Sequence, residues 1–562
     1  MLGGSWRFSF TITIAPPCFS NKRKYSAAAT TTTTSGYGFY CRALEDQQQT
    51  QLTSTTLSGS QNKKKVVIVG SGWAGLAAAH HLCKQALDVT VLEGGYEFGP
   101  KNRTLAPDDV GIRGFWYPYK NIFNLVDELD IKPFTKWTTS AVYSGDGLEV
   151  KFPLFQEVPQ LPTPFGTLLY TQLARLSRVD MLTSLPLMAA VIDFDNTDAA
   201  WENYDPNRLE LLVTARELFR QFGCSERLYR YVLDPLLQVG LFAPAERCSA
   251  AATLAILYYF VLAQQRHFDL VLCRGTVKDK IFGPWMDSLK SQGCKFLTGR
   301  KVTDITIDEE TGCISEVVCG KESLKADAVI FAIGISTMQE IIENSAALCT
   351  REEFLKVLNL DSIDILTVKL QLDRKVSIPN ASNVSSRFDD STGWTFFNLN
   401  MIYDEHNDDL GTVVQADFYH ANDLLPLKDE IIVKRVMSCL SKCIGDFEKA
   451  VVVDKDIERF PKYLPHFFPG SYKYMMRGST SFPNLFMAGD WIISRHGSWS
   501  QEKSFVTGLE AANRVVDYLE VGTFAKIIPV EEDEPHIQAF RSLNRNLDEL
   551  RGQLPWSDYF LQ

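Results

Sequence analysis

The chain contains short apolar runs that alternate with segments whose apolar residues recur at helical spacing. Residues 66–70, VVIVG, form an almost continuous β-branched run, which is typical of a parallel strand covered on both faces. A helix-forming segment, LAAAHHLCK, follows at 76–84, and a second strand-like run, DVTVLE, occupies 88–93. This order of strand, helix and strand predicts an α/β domain with a parallel sheet.

The far end of the chain has a second strand-to-helix element. NLFMAGD, at 484–490, predicts a buried strand that ends in Gly-Asp, and the amphipathic segment 500–519 predicts a long helix. Between the two ends lie three strand-like runs and one helical segment, at 364–372, 393–403, 411–419 and 427–444. Strands with helices on one face predict an antiparallel sheet in a second domain.

Two apolar segments have no strand-like pattern. One is AAATLAILYYFVLA at 250–263, and the other, at 163–192, has apolar residues at helical spacing with basic residues between them. Neither contains the roughly 18 consecutive apolar residues that indicate a membrane span. We expect both segments to be core helices, and a monotopic membrane-facing surface stays open as the alternative for each.

Length and composition narrow the class of protein. A chain of 562 residues is too long for one compact core, so we expect two domains. The net charge of −11 argues against a general nucleic-acid binder, which needs a basic face. The 12 cysteines form no CxxC pair, and no histidine stands near Cys439 and Cys443 in the sequence. We therefore predict reduced thiols and no metal site.

The first 44 residues differ from the rest of the chain. They contain no Asp or Glu, five Lys or Arg, and twelve Ser or Thr. This acid-poor, hydroxyl-rich composition is typical of an organelle transit peptide, and its weakly basic character favours a plastid over a mitochondrion. We predict that residues 1–62 are a transit peptide with a linker and that the mature protein is chloroplastic.

A glycine turn joins the first strand to its helix. In Gly70-Ser71-Gly72-Trp73-Ala74-Gly75, the first glycine permits a tight turn, the second lets the backbone approach a pyrophosphate, and the third lets the helix pack on the strand. The phosphates then lie at the positive end of the helix. Glu93 ends the second strand 18 residues after Gly75, where a carboxylate accepts hydrogen bonds from ribose hydroxyls.

The second strand–Gly-Asp–helix element distinguishes the dinucleotide. A transient nicotinamide site does not need such an element from the far end of the chain, whereas a bound flavin does. We expect Asp490 to bind the ribityl–pyrophosphate side and the helix N-terminus to face the pyrimidine oxygen of the flavin. The sequence thus predicts tightly bound FAD, and an α/β fold with a Rossmann-like (GR2-type) FAD-binding domain and an inserted α+β substrate domain.

Between about residues 63 and 520, the chain resembles the flavin amine oxidase and carotenoid desaturase superfamily. Beyond the two ends, the resemblance rests on GIRGFWYPYKNIFNLVDELDI, on RGTVKDKIFGPWMDSLKSQGCKFLTGRKVTDI and on the approach to the Gly-Asp motif. In pattern the chain is most similar to plant phytoene and ζ-carotene desaturases. The resemblance implies that Val302 lies against the adenine, that ADAVIFAIG is a further central strand, and that Arg477 is near the flavin.

The chain also departs from the pattern of this superfamily. Pro100 stands where a second glycine is usual, so Lys101 or Arg103 would supply the basic residue of that loop. Arg113 and Tyr117 replace a histidine and a glycine. Lys503 replaces a close-approach glycine at the start of the last helix of the FAD domain.

The predicted cofactor-binding residues are Gly70, Ser71, Gly72, Ala74, Gly75, Glu93, Gly94, Lys101, Arg103, Val302, Arg477, Gly489, Asp490 and Ser500. No general base is nominated, and the candidates for positions near the flavin are Arg113, Tyr117 and Trp499. Salt-bridged or surface packing stays the alternative for Arg113, Arg477 and His496.

The predicted domain boundaries follow the order of these motifs. They are residues 63–114, 270–345 and 461–522 for the discontinuous FAD domain, 115–269 and 346–460 for the substrate domain, and 523–562 for an acidic, then helical tail.

The resemblance implies hydride transfer from a long, hydrophobic isoprenoid to FAD, with a quinone as the next electron acceptor. Peripheral contact with a plastid membrane fits such a substrate. An amine or polyamine oxidase is the alternative redox function. A non-redox flavin isomerase, or a flavin-binding scaffold without turnover, also stays open because of the departures around Pro100 and Lys503.

Overall fold

A computed structural model describes residues 63–95, 114–193, 213–262, 264–385 and 392–553. Residues Lys63–Arg541 form one compact unit. The predicted transit peptide and the predicted site residues Lys101, Arg103 and Arg113 lie outside the described residues, so their roles stay predictions.

The described residues form strands and helices in alternation. In chain order the strands are β1 (Lys65–Val69), β2 (Asp88–Leu92), β3 (Gly114–Trp116), β4 (Ala141–Ser144), β5 (Gly147–Lys151), β6 (Gln172–Leu173), β7 (Leu270–Leu272), β8 (Lys295–Leu297), β9 (Asp304–Ile307), β10 (Ile314–Cys319), β11 (Glu322–Lys325), β12 (Ala328–Phe331), β13 (Asp361–Leu372), β14 (Ser382–Ser385), β15 (Gly393–Asn398), β16 (Val413–Tyr419), β17 (Val452–His466) and β18 (Leu485–Met487). The α-helices are α1 (Trp73–Leu82), α2 (Lys120–Glu128), α3 (Phe165–Tyr170), α4 (Arg178–Leu182), α5 (Leu185–Asp193), α6 (Ala215–Gln221), α7 (Glu226–Leu228), α8 (Asp234–Gly240), α9 (Ala250–Leu257), α10 (Gly283–Ser291), α11 (Ile335–Asn344), α12 (Glu352–Val357), α13 (Leu399–Ile402), α14 (Asp429–Cys443), α15 (Gln501–Leu519) and α16 (Pro535–Gln553).

A five-stranded parallel sheet carries the two ends of the predicted FAD domain. Its strand order is β18-β12-β1-β2-β8, and every neighbouring pair is parallel. The four residues from Val66 to Val69 are all buried, which is why this run is continuously apolar. Since all five strands point the same way, the turns after β1, β2, β12 and β18 meet at one edge, where open α/β sheets bind ligands.

Helices α1 and α15 pack closely on this sheet and on each other. A Cβ atom at Gly508 of α15 would lie 2.2 Å from the carbonyl oxygen of Ala74 in α1, so only glycine permits the observed approach. Ala77, Ala78 and Ala512 contribute small buried side chains to the same cluster. The long helix from the far end of the chain is thereby held directly against the helix of the glycine turn.

An eight-stranded sheet forms the second layer, in the order β17-β13-β16-β15-β14-β4-β5-β6. The prediction of an antiparallel sheet is correct for every pair except β14 and β4, which run parallel. β4 comes from the predicted insertion 115–269, whereas β14 comes from the predicted insertion 346–460. Helix α14 covers one face, and its Ile432 and Val436 pack with Leu366 and Val368 of β13.

The two apolar segments differ in their exposure. The expectation of a core helix is confirmed for Ala250–Leu257, where α9 is almost entirely buried. It is wrong for part of 163–192, which forms α3, α4 and α5 and leaves several large apolar side chains exposed, among them Phe165 and Val179. Sequence spacing marks an apolar side of a helix but does not say whether anything covers it.

The acidic tail packs on the folded chain as far as Arg541. The carboxylate of Asp533 accepts a hydrogen bond from the Tyr258 hydroxyl at 2.7 Å, and Glu534 accepts one from the backbone N–H of Thr163 at 2.9 Å. Glu531 lies 3.5 Å from a ring nitrogen of His267. The tail is therefore part of the folded unit over these residues.

Two further features concern metals and membranes. Across the ranges that the structure describes, no three His, Cys, Asp or Glu side chains are grouped so that they could hold a metal ion. None of the helices in those ranges is both long and apolar enough to cross a bilayer.

Candidate functional site

The turn after β1 is built around two glycines that no other residue can replace without backbone movement. Gly70 has a φ of +105°, and its Cβ would lie 2.2 Å from the carbonyl oxygen of Ala332, just after β12. A Cβ at Gly75 would lie 1.9 Å from the carbonyl oxygen of Gly70. These contacts provide the tight turn and the close helix–strand packing that the sequence predicts.

Gly72 differs from its two neighbours because its outer side is open. It occupies the N-cap of α1, no side chain caps that end, and the first turn of the helix carries no acidic residue. A Cβ at Gly72 would meet no atom of the described residues within 4 Å. An uncapped helix N-terminus with room beside its first glycine fits a pyrophosphate, as FAD requires.

Glu93 is fixed beside the same turn, at the end of β2. Its carboxylate accepts a hydrogen bond from the Ser71 backbone N–H at 3.2 Å and another from the Ser71 hydroxyl at 2.5 Å. The other carboxylate oxygen accepts the N–H of Gly95 at 3.0 Å. Glu93 and Gly94 therefore lie at the edge of the sheet where the glycine turn lies. Ribose binding by Glu93 stays a prediction.

Val302 and Ala74 are two predicted site residues that are buried in the core. Val302 is buried in a cluster with Val69 and Leu92, next to the ends of β1 and β2. Ala74 is buried in the first turn of α1, under Gly508. The structure thus brings Val302 to the strand ends, as the contact predicted with adenine requires.

The Gly-Asp element follows β18, two strand positions from β1. Two strand spacings place the ends of β18 and β1 about 10 Å apart. Gly489 has a φ of +138°, and its N–H donates to the Thr507 hydroxyl of α15 at 2.9 Å. Asp490 accepts a hydrogen bond from the indole N–H of Trp499 at 2.8 Å. These bonds tie the Gly-Asp turn to α15 on one side and to Trp499 on the other.

The start of α15 contains three fully buried polar residues, Gln501, Glu502 and Lys503. The Ser500 hydroxyl caps the helix by accepting the N–H of Lys503 at 2.9 Å. Glu502 accepts the N–H groups of Asn121 at 2.8 Å and Ile122 at 3.1 Å, so it caps α2. Burial raises the pKa of Glu502 to about 7, against the effect of these hydrogen bonds.

The Lys503 side chain reaches the loop before α15. Its Nζ donates to the carbonyl oxygen of Ser498 at 2.9 Å. Burial lowers the pKa of Lys503 to about 7, and Asp490 and Glu510 oppose that shift. The loop before α15 therefore accommodates this lysine, which stands where the resemblance leads us to expect a glycine.

His496 lies in that same loop and is fully buried. Burial, with the nearby Arg495 and Lys503 cations, lowers its pKa to about 3, so it is a neutral imidazole at pH 7. Its Nε2 has no hydrogen-bond partner among the described residues. The surface alternative is wrong for His496, since the side chain is inside the loop that joins Asp490 to α15.

The other residues predicted near the flavin occupy different environments. Arg477 is exposed, which fits the surface alternative. Tyr117 is half-buried, with the Lys120 Nζ 3.5 Å and the Arg266 guanidinium carbon 4.8 Å from its ring centroid. Trp499 packs edge-on against Phe242, with ring centroids 4.7 Å apart. Of the two candidates that the structure describes, Tyr117 and Trp499, it places Trp499 beside Asp490.

Trp499 belongs to an apolar group that sequence analysis did not find. We name it the Trp499 cluster; it comprises Phe242, Ile363, Ile365, Tyr419, Phe460, Leu464 and Trp499. Phe242 bridges the loop and the sheet, because its ring centroid is also 5.2 Å from that of Tyr419 on β16. The cluster joins the Asp490–Trp499 pair to the face of the eight-stranded sheet opposite α14.

Buried polar residues continue along that sheet face. We name them the polar strip: Thr367, Lys369, Thr395, Gln415 and Asp417. Thr367 pairs with Asp417 across β13 and β16, and Asp417 pairs with Thr395 across β16 and β15. The Gln415 amide donates to the Asp417 carboxylate at 3.0 Å. Alternation along the strands could have assigned these residues to one face of the sheet, but it could not show that this face is buried.

Comparison with known proteins shows the family and the fold. The chain matches the model of the flavin-containing amine oxidoreductases over residues 73–516. Cyclohexylamine oxidase from Brevibacterium oxydans IH-35A is similar in structure at 15% identity, over 82% of this chain and 100% of that chain, with a TM-score of 0.60. Putrescine oxidase bound to putrescine is 14% identical over 81% and 99%, with a TM-score of 0.59.

An oxidoreductase from Methanosarcina mazei is 15% identical over 79% of this chain and 99% of that chain, with a TM-score of 0.55. No curated protein matches the sequence. At these identities the structural likenesses show the fold alone. They confirm the predicted class, an α/β protein with a Rossmann-like FAD-binding domain and an inserted second domain.

Proposed function

The chain belongs to the family of flavin-containing amine oxidoreductases, and from that premise we propose that it oxidises a hydrophobic, isoprenoid-like substrate. It is an FAD-dependent oxidoreductase. Membership of the family favours the redox alternatives over the non-redox isomerase and the inactive scaffold. Which substrate it oxidises is the part that we propose here.

Different residues at the sheet edge would bind different parts of FAD. Gly70, Gly72 and the N-terminus of α1 would hold the pyrophosphate, Glu93 the ribose, and Asp490 the ribityl side. When bound, FAD supplies a hydride acceptor for a substrate carbon. The protein contributes position and the exclusion of water, which explains why the described residues offer no obvious catalytic triad beside Asp490.

The observation that carries the proposal is the Trp499 cluster. It is apolar or aromatic throughout, and it begins at the residue that is hydrogen-bonded to Asp490. A substrate that lies between this cluster and the cofactor would meet hydrocarbon and ring faces, and no member of the cluster carries a charge. An apolar wall at that position favours a hydrocarbon substrate over a charged one.

The polar strip supports amine oxidation as a second candidate. It begins at Thr367, two residues along β13 from Ile365 of the Trp499 cluster, which is about 7 Å. The fully buried Asp417 carboxylate would pair with a substrate ammonium group. Lys369 is buried in the same strip, however, and its positive charge weakens the attraction for a cationic substrate. We therefore rank amine oxidation second.

We also propose a plastid location and a quinone as electron acceptor. The composition of residues 1–44 supports the first, and the lipid solubility of quinones, which matches a hydrophobic substrate, supports the second. Fluorescent fusions of the full chain and of a chain that begins at Lys63 should differ, with only the first entering plastids. Plastid import of the shorter fusion would contradict the transit-peptide prediction.

The substrate class is tested by anaerobic reduction of the bound flavin. We expect the visible flavin absorbance of the purified protein to bleach with an isoprenoid polyene in detergent micelles and to remain unchanged with putrescine or cyclohexylamine. A quinone should then restore the colour without oxygen. Bleaching by amines alone, with peroxide formed in air, would replace the first candidate with the second.

An Ile365→Asp variant and an Asp417→Asn variant distinguish the Trp499 cluster from the polar strip as the substrate site. A charge in the Trp499 cluster should weaken reduction by the isoprenoid, whereas Asp417→Asn should leave it within a few-fold of wild type. The opposite order, with loss of amine-driven reduction in Asp417→Asn, would identify the polar strip as the substrate site.

A further inference from the structure

Three short consecutive helices, α3, α4 and α5, present large apolar side chains to solvent. Phe165 and Leu169 of α3 are 55% and 56% exposed, Val179 and Leu182 of α4 are 71% and 56% exposed, and Leu185 of α5 is 42% exposed. Single exposed apolar residues are common on proteins, but a contiguous group marks an interaction surface. We name these five residues the apolar face.

Four of the five residues form two pairs, one on α3 and one on α4. Phe165 and Leu169 are four residues apart on α3, and Val179 and Leu182 are three apart on α4, so each pair shares a helix side. The Arg178 guanidinium donates to the carbonyl oxygen of Leu168 at 3.1 Å, which joins the end of α3 to the start of α4.

The exposure is not the result of a segment that fails to pack. Leu176, between α3 and α4, is buried, and Leu187 and Val191 of α5 are buried in the cluster that contains α6 and α9. The segment therefore has two apolar sides. One side completes the core, and the apolar face is what remains outside.

The base of the apolar face is anchored to the rest of the folded unit. A Cβ at Gly166 of α3 would lie 1.8 Å from the side-chain oxygen of Gln265, so the helix lies directly on this buried residue. The backbone of Thr163 is bonded to Glu534 at 2.9 Å and to the His536 ring at 2.8 Å. These contacts position α3 against the rest of the unit.

The exposed charged residues within the segment 161–192 are basic, although the whole chain has a net charge of −11. Between residues 161 and 192 the exposed charged residues are Arg175 and Arg178. Asp180 is half-buried and accepts hydrogen bonds from Ser177 and Ser225. Arg175 pairs with Asp146 at 3.0 Å, whereas Arg178 forms no ion pair within the described part of the chain.

We propose that the apolar face docks the protein on a lipid bilayer that contains anionic headgroups. Its leucine, valine and phenylalanine side chains would enter the boundary between headgroups and acyl chains, with Arg178 at the level of the lipid phosphates. No helix in the described ranges is suited to span a bilayer, so the contact is peripheral. This inference does not depend on the proposed substrate.

A lipid surface fits this face better than a second copy of the chain does. Two copies that meet through the face would bring Arg178 of each close to Arg178 of the other, with no exposed acidic residue between 161 and 192 to offset the repulsion. Anionic headgroups supply that charge.

The proposal is tested by vesicle co-sedimentation of the full chain. We expect binding to vesicles of phosphatidylcholine mixed with phosphatidylglycerol, and weaker binding to phosphatidylcholine alone. The double variant Val179→Gln/Leu182→Gln should bind at least about tenfold more weakly, because two apolar side chains are lost from the contact. Arg178→Gln should lose much of the preference for the anionic vesicles.

A matched control changes two exposed apolar residues elsewhere. Leu410 and Val451 are 93% and 60% exposed, and Leu410→Gln/Val451→Gln should bind vesicles like wild type. Equal binding by the Val179/Leu182 variant and this control would overturn the proposal. So would a wild-type dimer that the Val179/Leu182 variant converts to a monomer, since the face would then join two copies.

Amide hydrogen exchange separates this face from any contribution of residues 1–62. On anionic vesicles, peptides from 161–192 should exchange more slowly than in solution, while peptides from 399–412 should not change. Protection that is absent from 161–192, whatever the total binding, would contradict the assignment of the membrane contact to the apolar face.

Discussion

We expect the free energy of unfolding to depend on pH through Lys503, at the start of α15. Its side chain is fully buried, its Nζ donates a hydrogen bond to the carbonyl oxygen of Ser498, and burial lowers its pKa from an ordinary 10.5 to about 7. This difference corresponds to about 5 kcal/mol, since each pKa unit is worth about 1.36 kcal/mol. Relaxation and water entry make that value an upper limit.

The sign of the pH dependence follows from proton binding. Between about pH 7 and pH 10.5 the unfolded chain holds the Lys503 proton and the folded chain does not. The free energy of unfolding therefore rises with pH across this window. Lys503→Met removes the titration, so at pH 7 the variant should be more stable than wild type by up to a few kcal/mol. Near pH 10 the difference should fall to about zero, because the variant leaves the Ser498 carbonyl oxygen without its donor, at a cost of about 1 kcal/mol, and this offsets the small part of the Lys503 penalty that remains.

Urea unfolding of the full chain at several pH values between 7 and 10 measures this difference. Other groups titrate alike in both proteins, so the change in the midpoint difference reports on Lys503. Lys321→Met, at an exposed lysine, is the matched control and should follow wild type at every pH. A midpoint difference that does not vary with pH would contradict the claim that burial lowers the pKa of Lys503.

Four further changes test the site and the fold. Gly72→Val should abolish FAD retention, read as lost flavin absorbance after gel filtration, while Gly145→Val, also at a glycine with open space, should retain it. Asp490→Ala should weaken FAD retention and shift Trp499 fluorescence, because the indole loses its acceptor; unchanged flavin affinity would exclude Asp490 from the site. Glu502→Ala should lower the free energy of unfolding by about 3 kcal/mol, since it leaves buried donors of α2 unpaired. Gly508→Val should destabilise more strongly than Thr507→Val, and equal effects would contradict the close approach of α1 and α15.

The cofactor half of the site could be predicted from sequence because its chemistry is local. The turn from Gly70 to Gly75 and the Gly-Asp element each place their residues by backbone geometry within a few positions. Both elements follow parallel strands, and the ends of parallel strands meet at one edge whatever connects them. The pairing of Ser71 with Glu93 follows from the same neighbour relation of β1 and β2.

The Trp499 cluster, which we propose as the substrate wall, could not be predicted because its residues meet only through the topology. Phe242, Ile365 and Trp499 are each more than a hundred residues apart, and no local spacing links them. The apolar segment 163–192 shows a second limit, because buried Leu187 and exposed Leu182 have the same kind of sequence environment. What distinguishes them is whether another element covers that side of the helix.

The residues around Lys503 accommodate this lysine at a position where a glycine is usual in the superfamily that the chain resembles. Burial shifts the pKa of Glu502 and the pKa of Lys503 in opposite directions, and each in the direction that favours its neutral form. Their partners lie on different elements: Glu502 is held by the N-terminus of α2, and Lys503 by the carbonyl oxygen of Ser498. Side chains at the start of α15 are therefore hydrogen-bonded both to α2 and to the loop that follows Asp490. Because that loop takes up the Lys503 side chain, the turn after β18 keeps its bonds to Thr507 and Trp499, and the edge predicted to hold the flavin keeps its geometry.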